Sequence, residues 1–217
     1  DKTSLTMNLV EGVKWSDGEP FDAEDLRFWW EDNVQDEKVT SRMPKDGMGV
    51  GTTMSVVDPF TIRFDFMEPQ GPARVSALAY IQGCPGPSHI LKDHHPRYNP
   101  QKTYEDYSNA QPADDLKNVV SLGMFVAVVH APDQIVIMRR NPYYWKVDEK
   151  GNQLPYMNEM HFKLSTWSDR TKQAVAGTGD FSNMENPGNY VEALKQSQSA
   201  EAPTKAQFGP RVLGWNL

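Results

Sequence analysis

The sequence is short of several things, and each shortage removes a class of function. It has one cysteine, Cys84, so it forms no internal disulfide and no thiolate cage for a metal. That cysteine lies beside Pro85 with no partner base evident, and it reads as buried or inert. Few cysteines suit a cytosolic protein and many exported bacterial proteins alike, so the count leaves the compartment open. No apolar run approaches the roughly 18 to 20 residues of a bilayer-crossing helix. Positive charge is in deficit, with 22 Lys and Arg against 29 Asp and Glu, a net charge of -7. The longest basic cluster is the pair Arg139-Arg140. A phosphate backbone selects for a basic face, so a nucleic-acid partner is disfavoured. Also missing are a Gly-x-Ser-x-Gly elbow, a phosphate-binding loop, a His-Glu-x-x-His zinc motif, internal repeats and low-complexity tracts.

What is present is a globular composition: 217 residues, 38% hydrophobic, 24% charged and 11% aromatic, enough for one large domain or two small ones. Residues 3–10, TSLTMNLV, alternate as a strand does. Gly12, Asp17-Gly18 and Pro20 then punctuate a turn, with Gly18 expected at positive φ and Trp15 packing the turn onto the core. A helix is predicted from Asp22, whose carboxylate can accept from the first-turn amides. Asp25 completes a capping box, and Ala23, Leu26, Trp30 and Val34 share one face. Residues 35–54 read as loop, and SVVDPFTIRFDF (55–66) as a hairpin turning at Asp58-Pro59 with Ile62, Phe64 and Phe66 inward. A short helix is expected over 73–80 and a polar, aromatic surface loop with helical turns over 96–113. A second hairpin joins MFVAVVH to QIVIMRR, and MHFKL extends after a turn at Lys150-Gly151. Helices are expected over 168–176, capped by Ser168, and over 188–198, with a last strand at PRVLGWNL. Strands and helices mix without strict alternation, so the class is α/β (mixed α+β), with a mixed sheet flanked by helices.

Several blocks, in order, carry a family resemblance. LVEGVKWSDGEPFDAEDLRF (9–28) contains Leu9, Gly12, Val13, Trp15, Asp17, Gly18, Pro20, Phe21, Ala23 and Asp25 in a fixed pattern. VVDPFTIRFDFMEP (56–69) follows, then Arg140, Asn141, Pro142, Tyr144 and Trp145, then GTGDFSN (177–183) and VLGWNL (212–217). Together they resemble the extracellular solute-binding proteins that feed peptide, nickel and oligosaccharide ABC importers. SLGMFV at 121–126 departs, keeping only Gly123 of that family's Gly-Thr-Gly-Pro-Tyr run.

The resemblance implies a periplasmic-binding-protein-like fold of the large two-lobed type, with ligand held between the lobes. The chain starts at Asp1 without an initiator Met, and it is expected to be a fragment of lobe one. Residues 1–120 would form the small subdomain and residues 121–217 part of the main subdomain. Alone, such a fragment should bind ligand poorly. The family implies a monomeric, non-enzymatic receptor, periplasmic or extracellular, with a lipid anchor as an option, delivering its ligand to an ABC permease. No cofactor, metal or nucleic acid is implied. Oligopeptides are the first expectation for ligand. Oligosaccharides are the alternative, because Gly-Asn-Gln-Leu-Pro-Tyr (151–156) and the tryptophans suit sugar stacking. Two competing readings are a secreted carbohydrate-active enzyme and a signalling module whose cleft is filled by its own side chains.

The topology implied by the resemblance brings Asn183, Met184 and Glu185 to the cleft, and Trp215 and Asn216 along its floor. A Trp platform suits a side chain or a sugar face, and Asn offers both donor and acceptor. The loop from Met43 to Met48 is a further segment expected near the cleft. Trp29, Trp30, Tyr144 and Trp145 are expected to pack, as aromatics do by default. His89, His94 and His95 do not share a helical face or a completing carboxylate pair, and they read as solvated surface histidines rather than zinc ligands. No motif fixes two carboxylates at acid/base separation, so no catalytic residue is assigned.

Overall fold

The computed structural model describes residues 2–39, 46–71, 85–111, 115–176, 180–181, 187–189, 191 and 195. The chain divides into two compact units, Asp1–Phe162 and Lys163–Leu217. In the first unit, β1 (Ser4–Asn8), β2 (Thr53–Asp58) and β3 (Thr61–Asp65) form an antiparallel sheet in the order β1-β3-β2. The hairpin between β2 and β3 turns where the sequence places it, because Asp58 Oδ1 accepts from Phe60 N at 2.8 Å and fixes the Asp-Pro corner. Ile62, Phe64 and Phe66 alternate into the core, as their period of two requires.

The helix α1 (Ala23–Phe28) opens on the predicted capping box. Asp22 accepts from Glu24 N at 2.8 Å, and Asp25 reaches back to Asp22 N at 3.3 Å. It then widens into a π-helical segment, Trp29–Val34, where Gln35 N donates to Trp30 O, five residues back, at 3.0 Å. Ala23, Leu26, Trp30 and Val34 all bury against the sheet with Ile62, Phe64 and Phe66, as their spacing predicts. The opposite face is buried as well: Phe28 packs with Leu91 and Tyr107 in a second cluster. That cluster comes from α2 (Ser88–His94) and α3 (Tyr104–Ser108), the latter opened by a Thr103/Asp106 capping box.

β4 (Phe125–Ala131), β5 (Ile135–Arg140) and β6 (Glu159–Lys163) make a second sheet in that order. The turn after β5 is pinned by Asn141, which is wholly buried. Its backbone N donates to Met124 O at 3.0 Å, its Nδ2 to Gly123 O at 2.9 Å, and its Oδ1 accepts from Tyr143 N at 2.9 Å. In the second unit, α4 (Trp167–Val175) is capped by Thr166 rather than Ser168, with Asp169 N donating to Thr166 Oγ1 at 3.2 Å. The cap falls two residues earlier than expected, so Ser168 lies inside the helix. Residues 187–189, 191 and 195 are helical, four of them within the expected 188–198 helix, whose other residues lie outside the described ones. The expected helix at 73–80, the strand at 210–217 and Cys84 lie outside the described residues. Among the described residues, no helix is long and apolar enough to cross a membrane.

The histidine reading needs one correction. His95 is not solvated; it is 0% exposed, with ring centroids of Tyr107 at 4.7 Å, Tyr104 at 5.5 Å, and Phe28 and Tyr98 at 6.0 Å. Its short spacing from His94 hides the fact that α2 ends there and turns His95 inward.

Asp25 is buried and accepts from Trp15 Nε1 at 3.0 Å and from Ser88 N at 2.9 Å. Replacing it with Ala strands both donors, at roughly 1–3 kcal/mol each. Asp25→Ala should therefore lower the unfolding free energy by about 3 kcal/mol or more, and Trp15→Phe by less. The two losses should fall short of additive in the double variant when followed by urea unfolding.

Candidate functional site

The residues that the family topology nominates, Asn183, Met184, Glu185, Trp215 and Asn216, lie outside the described residues, as does Met43. Met48 is fully buried in the first core cluster, so at that end the Met43–Met48 loop is packed rather than offered to a ligand. The described residues do show how the signature blocks meet. Trp15 donates to Asp25 and sets its ring edge-on to Phe21 at 5.7 Å. Gly18, at φ +98°, lies under Tyr143, whose ring atoms would be 3.1 Å from an added Cβ. Ser16 N donates to Ser121 O at 3.0 Å, and Ser121 N donates to Ser16 Oγ at 3.1 Å. The loud turn is thus a three-way joint with its polar groups engaged internally, which is the structural role expected of Trp15 and Gly18.

Beside the joint runs a charged strip. Asp17 Oδ2 is 2.7 Å from His89 Nε2, both about one-third exposed. Burial pushes the Asp17 carboxyl up, but the His89 hydrogen bond and the Glu19 amide outweigh it and the net shift is downward. Glu24 is held to about 2, chiefly by the hydrogen bonds from Arg27, against a partial burial cost and with help from Lys92. Asp32, 1% exposed, takes Arg97 Nη1 on one oxygen and Tyr98 OH on the other, both at 2.7 Å. Every described carboxylate whose titration shifts, from Asp17 to Asp169, shifts downward. Among the described residues, no group of three His, Cys, Asp or Glu is placed to hold a metal.

Aromatic surface is concentrated in the block after β5. Trp145 was expected to pack, yet it is 44% exposed, with the Lys146 ammonium 5.1 Å from its ring centroid. Tyr156 is 69% exposed, and its hydroxyl donates to Asp148 at 2.7 Å. Asp148 also accepts from Lys150 N, Asn152 N and Asn152 Nδ2, and these bonds, led by the Asn152 side chain, hold it at about 2. An open cleft of about 370 Å³ lies alongside, lined by Arg139, Arg140, Pro142, Gln153, Asn158 and Glu159. Sequence reasoning did not single out this cleft; the Arg139-Arg140 pair was its only outward sign.

Comparison with known proteins supplies what this geometry leaves open. Residues 1–217 match the family described as bacterial extracellular solute-binding proteins, family 5 Middle. The chain is 51% identical, over 219 residues, to a periplasmic alpha-galactoside-binding protein of Rhizobium meliloti (strain 1021), covering 100% of this chain and 31% of that one. It superposes on the periplasmic binding protein MelB of Agrobacterium fabrum C58, solved in complex with stachyose. The TM-score is 0.81 and the identity 47%, over 94% of this chain and 30% of the other. With the oligopeptide-binding protein OppA the TM-score is 0.78 and the identity 27%, over 91% and 34% of the two chains. The chain spans 31% of the length of the curated relatives it matches.

The Glu24 carboxyl titrates near 4.5 when unfolded and near 2 when folded. A depressed folded value adds stability that is complete above pH 4.5 and is lost as pH falls toward 2. Glu24→Gln should therefore flatten the acid limb of stability between those values and leave the slope above pH 5 unchanged, as read from urea midpoints across pH.

Proposed function

The chain belongs to the bacterial extracellular solute-binding proteins, family 5, and on that premise we propose that its whole protein is the receptor of an ABC importer that captures an oligosaccharide of the α-galactoside type. The observation that carries this reading is 51% identity, along the full chain, to a protein named for α-galactoside binding. The relative with stachyose bound supports it, at 47% identity against 27% for the oligopeptide-binding protein. Oligosaccharide therefore displaces oligopeptide as the first reading of the ligand.

The chemistry of such a ligand is neutral. A sugar needs flat aromatic faces for its C–H surfaces and paired amide or carboxylate groups for its hydroxyls, with no ion pair for a terminus. In this reading Trp215 is the platform, Asn216 and Asn183 bond hydroxyls in both directions, Glu185 accepts from a vicinal pair, and Met184 covers an apolar edge. Residues 1–120 and 121–217 are the small subdomain and part of the main subdomain of the first lobe. A second lobe closes over the ligand by a hinge motion, and the closed form is what the permease recognises. The protein works as a monomer on the outer side of the cytoplasmic membrane, free or lipid-anchored, and releases its ligand unchanged.

Titration calorimetry of the full-length protein tests this directly. Stachyose and raffinose should bind, a tripeptide such as trialanine should not, and the recovered sugars should be intact. Tight tripeptide binding with no response to either sugar would overturn the reading. Trp215→Ala should cost about 2 kcal/mol or more of sugar affinity if the ring is the central platform, roughly thirtyfold in Kd.

A further inference from the structure

The cleft after β5 contains one charge that no described residue answers. Arg140 N donates to Asn158 O at 2.8 Å, which clamps these two residues side by side where β5 ends and β6 begins. Successive residues of a strand point to opposite faces, so Arg139 and Arg140 have different surroundings. Arg139 bonds Glu159 Oε1 through Nε and Nη2 at 3.2 and 3.0 Å. The other oxygen of Glu159 is 3.1 Å from His161 Nε2, so the one acid in the cleft lining is engaged on both sides. Gln153 spends its amide nitrogen on Pro142 O and Tyr144 O, both at 2.8 Å. What remains is Arg140, a half-buried residue, and the exposed Asn158, neither with a side-chain hydrogen bond or ion pair among the described residues.

A guanidinium keeps its charge, so an arginine with no partner has its full set of donors to offer. Its planar edge presents two parallel N–H donors, the match for a carboxylate. Two cations against one carboxylate leave the cleft lining positive. We propose that Arg140 and Asn158 form a receiving site for a carboxylate that the described residues do not supply: Arg140 takes it in two parallel bonds and Asn158 Nδ2 donates a third. The carboxylate is either an Asp or Glu side chain elsewhere in the whole protein or that of a separate small acid. The site is independent of the sugar reading, which concerns a neutral ligand and other residues.

The test uses the full-length protein and its Arg140→Gln, Asn158→Ala and Arg139→Gln variants, with melting temperatures taken in sodium chloride and in sodium glucuronate at equal ionic strength. If the carboxylate is the protein's own, Arg140→Gln lowers Tm by about 2 °C or more in low salt. That deficit shrinks in 0.5 M salt as screening weakens the pair, and glucuronate changes nothing. If the carboxylate belongs to a separate small acid, glucuronate raises the wild-type Tm, and both Arg140→Gln and Asn158→Ala abolish that rise while Arg139→Gln keeps it. A deficit that salt does not alter would mean lost packing and would overturn the proposal. So would a wild type indifferent to glucuronate paired with an Arg140→Gln variant of unchanged Tm.

Discussion

The first unit depends on one buried carboxylate. Asp25 is 2% exposed and has no cation against it among the described residues; it is met by the Trp15 indole N–H, the Ser88 amide, the Asp22 amide and the positive end of α1. Burying a charge this way is tolerable only if every lone pair finds a donor, so the positions of those donors are fixed together. This gives a physical meaning to the spacing of the opening signature. Ten residues separate Trp15 from Asp25, and the intervening turn must double back through Gly18 at positive φ to bring the indole over the helix start. The Pro87-Ser88 corner, far along the chain, closes the same joint. Because the joint uses its own donors, it has little left to offer a ligand.

The second constraint is that the long helix is buried on both sides. Ala23, Leu26, Trp30 and Val34 meet the sheet, while Phe28 meets Leu91 and Tyr107 across from it. The π-helical turn at Trp29–Val34 widens the helix while Trp30 and Val34 stay on the sheet-facing side. The same segment lets Asp32 turn under the aromatic cluster, where Arg97 and Tyr98 hold it. His95 sits within that cluster with Nδ1 accepting from Arg97 N at 3.2 Å, and its Nε2 has no hydrogen-bond partner, 3.8 Å from Asp36 Oδ2. Its role is to fill the space among four rings.

The sequence was legible where the local rule and the fold agree. The capping box at Asp22 and Asp25, the Asp58-Pro59 corner and the inward alternation of Ile62, Phe64 and Phe66 each follow from interactions within a few residues. It was opaque where distant chain decides. Nothing near His95 shows that Phe28, Tyr98, Tyr104 and Tyr107 will surround it. Trp145 looks like core by composition, yet it ends at the surface, its ring 6.3 Å from that of Tyr144 and beside the Lys146 ammonium. Thr166 captures the cap of α4 from Ser168 because both can serve and only the backbone path decides. The nominated ligand residues came from family topology, not from local pattern.

The same distinction explains why the family was easier to read than the ligand. The residues that mark the family are mostly those engaged internally: Trp15 and Asp25 in one joint, Gly18 under Tyr143, Asn141 between strands. Such contacts serve any two-lobed receptor equally, whatever it carries, so they cannot separate a peptide from a sugar. Discrimination has to come from groups with unspent capacity, whether aromatic faces left bare or polar side chains left unpaired. Signature motifs therefore argue for the scaffold, and the default ligand drawn from them reflects only what is common among its members. Identity spread along the whole chain is different evidence, because it includes the positions that the scaffold leaves free to vary with the ligand. On that ground the proposed sugar ligand rests on 51% identity to a protein named for α-galactoside binding rather than on the family motifs.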